Sequence, residues 1–174
     1  MEDQIFRKHY KFRLGEIILG SYQDSLVLLD WKYRKARVSI DSRIQNYLNS
    51  VWVEGESAVI NLAIQQMEEY LSKQRTEFSI PLKFTGTEFQ NTVWKELQKL
   101  EFGKTISYNQ LAKNLGSEKL IRAAANANGA NPISIIVPCH RVIGSDGSLV
   151  GYAGGISAKK KLLELESSPD LFSV

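Results

Sequence analysis

The single cysteine of the chain, Cys139, is the residue best suited to covalent chemistry. It lies in the run Pro138–Arg141 (PCHR). A cysteine attacks as its thiolate, yet a free thiol with a pKa of about 8.5 is only slightly ionised at neutral pH. His140 follows directly and could take the proton through a turn or a bridging water, since neighbours in an extended chain point opposite ways. Either Glu164 or Glu166 could then fix the histidine tautomer, as in hydrolase triads.

The segments on both sides of Cys139 favour a fixed thiol beside an open loop. The apolar run Ile133–Val137 (ISIIV) predicts a short, buried, extended segment before the cysteine. Downstream, a glycine-rich loop would let a ligand approach the backbone, and its Tyr152 could pack on a planar substrate. The glycines of this loop are Gly144, Gly147, Gly151, Gly154 and Gly155. The alternative is that Cys139 is a core hydrophobe, His140 a surface histidine and the loop a pair of turns.

Short helices with clear start signals surround this segment. Thr87–Gln90 (TEFQ) and Ser107–Gln110 (SYNQ) each match a capping box before apolar residues at helical spacing. Gly116 is placed to end the second helix, and Ser117 to cap a third helix through the alanine-rich stretch that follows. Two short helices with glycine at the joint predict a helix-turn-helix. Ser157–Glu166 predicts a final helix.

The first half of the chain has a different pattern. Gly15–Tyr22 and Ser25–Trp31 are β-branched and aromatic runs separated by a polar turn, which predicts a hairpin. Ser57–Lys73 carries apolar residues at helical spacing. The fold class is therefore predicted to be α+β, with a composition shift near residues 76–86. The predicted divisions are an N-terminal α/β domain of residues 1–83, a C-terminal domain of residues 84–168 and a tail of residues 169–174.

The composition of the chain excludes some classes of protein and indicates a class of partner. One cysteine among 174 residues excludes an intrachain disulfide framework and a thiolate cluster, and two histidines disfavour a histidine-rich metal cage. No apolar run approaches the roughly 20 residues that span a bilayer, and the acidic start does not resemble a signal peptide. We expect a reducing compartment, the cytoplasm or, in a eukaryote, the nucleus. Lys104–Lys161 holds eight lysines and arginines against two acidic residues, which favours a nucleic-acid face over a merely solvated surface.

The segment Phe89–Glu166 resembles the methylated-DNA–protein-cysteine methyltransferases, or O6-alkylguanine-DNA alkyltransferases. The family's order and spacing are matched by Phe102–Tyr108, Arg122–Ala123, Asn131–Pro132, Pro138–Val142 and Gly151–Gly155. The resemblance implies a small, ribonuclease H-like α/β domain followed by a helical domain with a winged helix-turn-helix. It also implies a monomer that acts on double-stranded DNA and needs neither a metal nor a cofactor.

The activity that this resemblance implies is DNA repair by a single-use protein. An alkylated guanine, or an O4-alkylthymine, would be flipped out of the duplex, and Cys139 would take the alkyl group irreversibly. Arg122 would enter the base stack from the minor groove, and Tyr108 would crowd the phosphate. The remaining DNA-binding residues expected on the same helix are Ala123, Ala125 and Asn128.

Within the pocket, the resemblance implies a role for each matching residue. Tyr108 would donate to guanine N3, the carbonyls of Cys139 and Val142 would accept from the exocyclic amine, and the N–H of Ala153 would reach O6. The catalytic group would be completed by His140, acting through a water, with Glu166 behind it. The other residues expected here are Asn131 beneath the cysteine, Tyr152 along the alkyl pocket and Lys159 near it.

Two other functions compete with alkyl transfer. Alkyltransferase-like proteins keep the DNA-binding half and lose the cysteine, so that they only flag a lesion; the presence of Cys139 argues against this reading. A cysteine hydrolase unrelated to DNA would need neither Arg122 nor Tyr108. Departures from the family pattern at Ala124–Ala125 and Gly129–Ala130 leave DNA affinity open.

Overall fold

A computed structural model describes residues 3–167, which fall into two compact units divided between Gly86 and Thr87. Each unit contains both strands and helices, so the predicted α+β class is confirmed. The division after residue 83 stays a prediction, and the predicted tail of residues 169–174 lies outside the described residues. None of the helices within residues 3–167 is long and apolar enough to cross a membrane.

The first unit is built on a four-stranded sheet with the order β3-β2-β1-β4. Its strands are β1 (Gln4–Phe12), β2 (Gly15–Tyr22), β3 (Ser25–Trp31) and β4 (Val51–Glu54). The predicted hairpin is confirmed, because β2 and β3 pair antiparallel around a turn at Gln23, which has φ of 52°. β4 runs parallel to β1. The sheet therefore mixes a local antiparallel meander with one strand that returns from farther along the chain.

Two helices complete the first unit, α1 (Arg37–Leu48) and α2 (Ala58–Leu71). α2 confirms the helix predicted over Ser57–Lys73, and the Ser57 hydroxyl accepts the N–H of Ile60 as an N-cap. Sequence analysis missed α1 and β1. Only two residues of α1, Ile40 and Ile44, are buried, and the apolar residues of β1 (QIFRKHYKF) do not alternate regularly with polar ones, so neither carries a strong pattern.

The second unit is mainly helical. Its helices are α3 (Glu88–Leu97), α4 (Tyr108–Asn114), α5 (Ile121–Gly129) and α6 (Ile156–Ser167). The capping box at the start of α3 is confirmed, since the Thr87 and Gln90 side chains each bond the other's backbone. At the start of α4 only one half of the predicted capping box forms, because the Ser107 hydroxyl accepts the Gln110 N–H while the Gln110 side-chain amide donates to Asn114 Oδ1. α4 and α5 pack on each other as the two helices of the predicted helix-turn-helix.

Two local predictions in this unit are corrected by the structure. Ser117 caps a helical segment as predicted, but its first turn, Glu118–Leu120, is a 3-10 turn, and the α-helix α5 begins only at Ile121. The run Ile133–Val137 is buried but not extended, because Ile135 has a φ of 73° and the chain turns back there. An apolar run reports burial but does not distinguish a strand from a compact turn.

A short parallel pairing brings the functional segments together. β5 (Ile106–Ser107) pairs with β6 (Val142–Ile143), which places Ile106 opposite Val142. Because Tyr108 follows β5 directly and Cys139 lies three residues before β6, this pairing holds the start of α4 beside the cysteine segment.

Candidate active site

Cys139 begins a 3-10 turn, Cys139–Arg141, and its side chain is buried. The chain before it is braced by Asn131. The Asn131 side-chain amide donates to Val137 O at 2.9 Å, and its carbonyl oxygen accepts from Ile133 N–H at 2.9 Å. These bonds close the buried turn at both ends, so the backbone that carries the thiol is fixed in position.

His140 and Glu166 form a buried pair. His140 Nε2 lies 2.8 Å from Glu166 Oε1, and both side chains are almost fully buried. A carboxylate can only accept, so Nε2 carries the proton and Nδ1 carries the lone pair of the neutral ring. Nδ1 is buried and has no hydrogen-bond partner among residues 3–167. The other candidate partner, Glu164, is exposed and lies near Lys160.

The two groups hold different charge states at neutral pH. Burial lowers the pKa of His140, although the hydrogen bond and charge of Glu166 oppose this effect. Burial alone would raise the pKa of Glu166, but hydrogen bonds from His140 and Arg141 outweigh it and lower the pKa to about 2. The site therefore presents a neutral imidazole backed by a carboxylate, which is a proton acceptor with a stabilised cationic form.

Arg141 was not among the residues predicted to carry the chemistry. Its Nε and Nη2 donate to the two carboxylate oxygens of Glu166 at 2.9 and 2.8 Å, and its Nη1 donates to Leu100 O. The guanidinium also lies 5.9 Å from the centre of the Phe102 ring. A buried carboxylate requires a partner, so the arginine next to His140 was a usable signal in the sequence.

Gly103, in the family motif Phe102–Tyr108, lies against Glu166. Its N–H lies 3.4 Å from Glu166 Oε2, and its φ is 75°. A Cβ at this position would lie 3.1 Å from the backbone oxygen of Glu166. Only glycine combines this backbone conformation with so close an approach to α6.

Lys159 joins two loops from inside the protein. Its side chain is fully buried, and Nζ donates to Val142 O at 2.7 Å. Nζ also lies 3.4 Å from Gly151 O and 3.5 Å from Val150 O in the glycine-rich loop. Burial lowers the pKa of Lys159, whereas attraction to a Cys139 thiolate raises it. A positive charge on Lys159 would favour the thiolate form of Cys139.

Tyr108 contacts the same loop. Its hydroxyl donates to Val150 O at 3.0 Å, and its ring centre is 5.9 Å from Lys159 Nζ. Burial and the negative charge of a Cys139 thiolate both raise its pKa. The hydroxyl predicted to donate to a purine therefore bonds a loop carbonyl in this structure.

The other pocket residues lie around this group. Tyr152 and Ala153 are half-buried, and the Tyr152 ring meets the His140 ring edge-on at 6.5 Å between centres. Val142 is buried, and its carbonyl, which was expected to bind a base, already accepts from Lys159. The Cys139 carbonyl accepts the Val142 N–H. Each carbonyl oxygen keeps a second lone pair for a ligand.

The predicted DNA-binding residues fall into two groups on α5. Arg122 and Ala123 are exposed, and Ala125 is half-buried. Asn128, in contrast, is only 6% exposed. A large ligand could therefore reach Arg122, Ala123 and Ala125, whereas Asn128 is buried.

The arrangement suits a nucleophilic thiolate. A buried thiol directly precedes a neutral histidine of fixed tautomer that can accept its proton, and the charge of the Lys159 ammonium would favour the thiolate. No group of three or more histidine, cysteine, aspartate or glutamate residues within residues 3–167 is placed to hold a metal ion.

Comparison with known families covers nearly the whole chain. Residues 5–84 match the 6-O-methylguanine DNA methyltransferase, ribonuclease-like domain, and residues 88–168 match the 6-O-methylguanine DNA methyltransferase, DNA binding domain. The first match confirms the ribonuclease-like fold expected of the N-terminal half, and the second confirms a C-terminal DNA-binding fold.

Individual relatives agree with the family models. A methylated-DNA–protein-cysteine methyltransferase of Mycobacterium leprae is 40% identical over 164 residues, covering 92% of each chain. One from Methanosarcina acetivorans is 39% identical over 155 residues, covering 89% of this chain and 94% of that protein. The crystal structure of Mycobacterium tuberculosis OGT in complex with DNA is 36% identical, with a TM-score of 0.78 over 94% of this chain and 92% of that chain. On these matches, the chain belongs to the 6-O-methylguanine DNA methyltransferase family.

Proposed function

We propose that this protein repairs double-stranded DNA by moving the alkyl group of O6-alkylguanine, and of O4-alkylthymine, irreversibly to Cys139. The observation that carries the proposal is the buried His140–Glu166 pair directly after the cysteine, with the lone pair of Nδ1 unused by residues 3–167. Relatives named methylated-DNA–protein-cysteine methyltransferases support the same reaction.

The reaction balances without a cofactor. The Cys139 thiol gives its proton to His140 Nδ1, through a water, and the Glu166 carboxylate stabilises the imidazolium. The sulfur lone pair then forms the bond to the alkyl carbon while the carbon–oxygen bond breaks, and that electron pair passes to the purine. A proton returned to the purine completes guanine. The thioether carries no labile bond, so each molecule reacts once.

The purine gains negative charge as it leaves, and donors at the pocket would stabilise it. The Tyr108 hydroxyl, which donates to Val150 O in this structure, would donate to guanine N3 instead. The backbone N–H of Ala153 would donate to O6. Val142 and Cys139 carbonyls would accept from the exocyclic amine, while Tyr152 would line the alkyl side of the pocket. The ammonium of Lys159 would hold the two loops in place and keep the thiolate charged.

Access to a base inside a duplex requires that the base leave the stack, which costs a few kcal/mol. The exposed Arg122 side chain on α5 would fill the gap, and the small side chains of Ala123 and Ala125 would let the helix approach the minor groove closely. The local excess of lysine and arginine would bind the phosphates.

The proposal is tested with a duplex that carries one O6-methylguanine. The wild-type protein should bind the duplex and convert the lesion to guanine, whereas Cys139→Ala should bind it with similar affinity and leave the lesion intact. Conversion by Cys139→Ala would overturn the proposal. Binding without conversion by the wild-type protein would favour a lesion-binding module, and neither binding nor conversion would favour a hydrolase.

A further inference from the structure

Two helices hold one irregular segment of the glycine-rich loop, residues 149–152 (the strap). From α4, the Tyr108 hydroxyl donates to Val150 O at 3.0 Å. From α6, Lys159 Nζ lies 3.4 Å from Gly151 O and 3.5 Å from Val150 O. The strap is thus attached to α4 by one side chain and to α6 by another.

The two attachments differ in how firmly they are fixed. Lys159 is fully buried, and its shorter bond to Val142 O, at 2.7 Å, holds it independently of the strap. Tyr108 is half-buried, and its hydroxyl can turn about its own carbon–oxygen bond toward another acceptor. The strap has room to move, because Val150 is 54% exposed and a Cβ added at Gly151 would meet no atom within 4 Å beyond its chain neighbours. The Tyr108 bond is therefore the attachment that can be released.

Entry of a base requires movement near Cys139. The cysteine is only 4% exposed, so a purine that carries an alkyl group reaches the sulfur only after neighbouring atoms move. The strap is one such neighbour, since its Tyr152 ring meets the ring of His140, the residue after Cys139, with 6.5 Å between the ring centres. The Tyr108 hydroxyl has one proton to donate. The base and the strap, through Val150 O, therefore compete for the same proton.

We propose that the strap is a latch, which the Tyr108–Val150 hydrogen bond closes and the flipped base opens by taking over the Tyr108 proton. Lys159 keeps the open strap attached to the protein. The latch rests on the function proposed above, because it requires that Tyr108 donate to the flipped purine.

The strength of one hydrogen bond suits a latch. A hydrogen bond between neutral groups contributes little net free energy, because water is an alternative partner, so removing this bond should favour the open strap about fivefold. The closed strap then predominates before DNA is bound, yet a base that supplies another acceptor offsets the loss of Val150 O. A ligand shifts such an equilibrium only if it binds the open state better. Undamaged duplex, in which no base is held out of the stack, should leave the latch closed.

The first test compares Tyr108→Phe with Tyr47→Phe, which changes an exposed tyrosine on α1, in the protein without DNA. The rate of thermolysin cleavage before Leu149 and Val150, with the cut sites identified by mass spectrometry, reports the population of the open strap. Tyr108→Phe should speed this cleavage about fivefold, and Tyr47→Phe should leave it unchanged. Equal rates in the two variants would show that the Tyr108 bond does not hold the strap, and would overturn the latch.

The second test reads the hydrogen bond itself, through the 13C signal of the Val150 carbonyl. The chain contains a single Val–Gly pair, Val150–Gly151, so labelling valine carbonyls with 13C and glycine nitrogens with 15N isolates this signal. Tyr108→Phe without DNA gives the value for the open latch. In the Cys139→Ala protein, which does not transfer the alkyl group, a duplex with one O6-methylguanine should shift the signal toward that value. The unmodified duplex should leave the signal in place.

Two results of the second test would overturn the latch and leave the repair function intact. The first is a Val150 signal that the methylated duplex does not shift, although the wild-type protein repairs that duplex. The second is an equal shift with both duplexes, which would tie strap movement to DNA binding in general. A wild-type protein that leaves the lesion unrepaired would overturn the proposed function, and the latch with it.

Discussion

The guanidinium of Arg141 donates hydrogen bonds from Nε and Nη2 to both carboxylate oxygens of Glu166, which lies 25 residues away in the chain. Glu166 therefore has a permanent cationic partner and still offers Oε1 to His140. The carboxylate stays ionised inside the protein, and the charge that supports His140 does not depend on solvent. The neutral histidine beside Cys139 can take a proton because this support is already in place.

Glu166→Gln should slow methyl transfer by about a hundredfold or more, the range expected for a general base. The loss follows because an amide does not stabilise the imidazolium, and Arg141 loses its counter-charge. Unfolding by urea should show a stability loss of about 3 kcal/mol, since breaking a buried ion pair leaves an uncompensated charge. Glu164→Gln is the matched control, because Glu164 is exposed on the same helix, and it should change neither quantity. Equal rates for the two variants would contradict the assignment.

The stability of the protein should depend on pH through Glu166. Its pKa is about 2 when folded, against 4.5 for the free group, so its ionised form is favoured by folding. This contribution is complete above pH 4.5 and is lost as pH falls toward 2, and it amounts to about 3 kcal/mol. Carboxyl 13C NMR should show Glu166 still ionised at pH 4. Arg141→Gln removes two of its hydrogen bonds and should move the midpoint upward. A wild-type midpoint near 4.5 would contradict this account.

Lys159→Met should make Cys139 less reactive toward iodoacetamide at neutral pH, by about tenfold. The ammonium is attracted to the thiolate, and an interaction of about 1.4 kcal/mol corresponds to that factor. Methionine has a similar length without the charge but does not donate to Val142 O, so circular dichroism and the melting temperature check that the fold is kept. Lys160→Met removes an exposed charge from the neighbouring position and should leave the rate unchanged. If the two variants react alike, the buried ammonium has no role at the thiol.

Arg122→Ala should show whether Arg122 acts in flipping the base out of the duplex or in the methyl-transfer step. Transfer from a methylated duplex should slow about a hundredfold, equivalent to ~3 kcal/mol of lost support for the flipped state. Transfer from free O6-methylguanine, which needs no flipping, should be unaffected. Lys119→Ala removes one positive charge just before the same helix and controls for phosphate attraction alone. An equal loss on both substrates would place Arg122 in the pocket instead.

Sequence analysis predicted the fold best where the determining contacts are local. The capping box of Thr87 and Gln90 and the hairpin turn at Gln23 each depend on residues within a few positions, and both are confirmed. The extended segment predicted over Ile133–Val137 was wrong because the turn there depends on bonds from the Asn131 side chain and a positive φ at Ile135. Hydrophobicity alone does not encode that turn.

The residues of the candidate site were likewise predicted only in part. The motif around Cys139 indicated a histidine that needs an acid; sequence spacing left Glu164 and Glu166 equivalent, and the resemblance to the family chose Glu166. The packing of α6 places Glu166 Oε1 2.8 Å from His140 Nε2. Arg141 and the Lys159 contacts to loop carbonyls were missed, because both join segments that are distant in sequence. The roles of these residues in the reaction remain predictions.

The central claim is that one molecule carries out one transfer to one sulfur. The direct measurement titrates the protein with excess O6-methylguanine duplex, quantifies the guanine restored, and maps the modified peptide by mass spectrometry. We predict that repair stops at one lesion per protein molecule, with a single methyl group on the peptide that contains Cys139. Repair that continues beyond one equivalent, or a protein left unmodified while lesions disappear, would contradict the account.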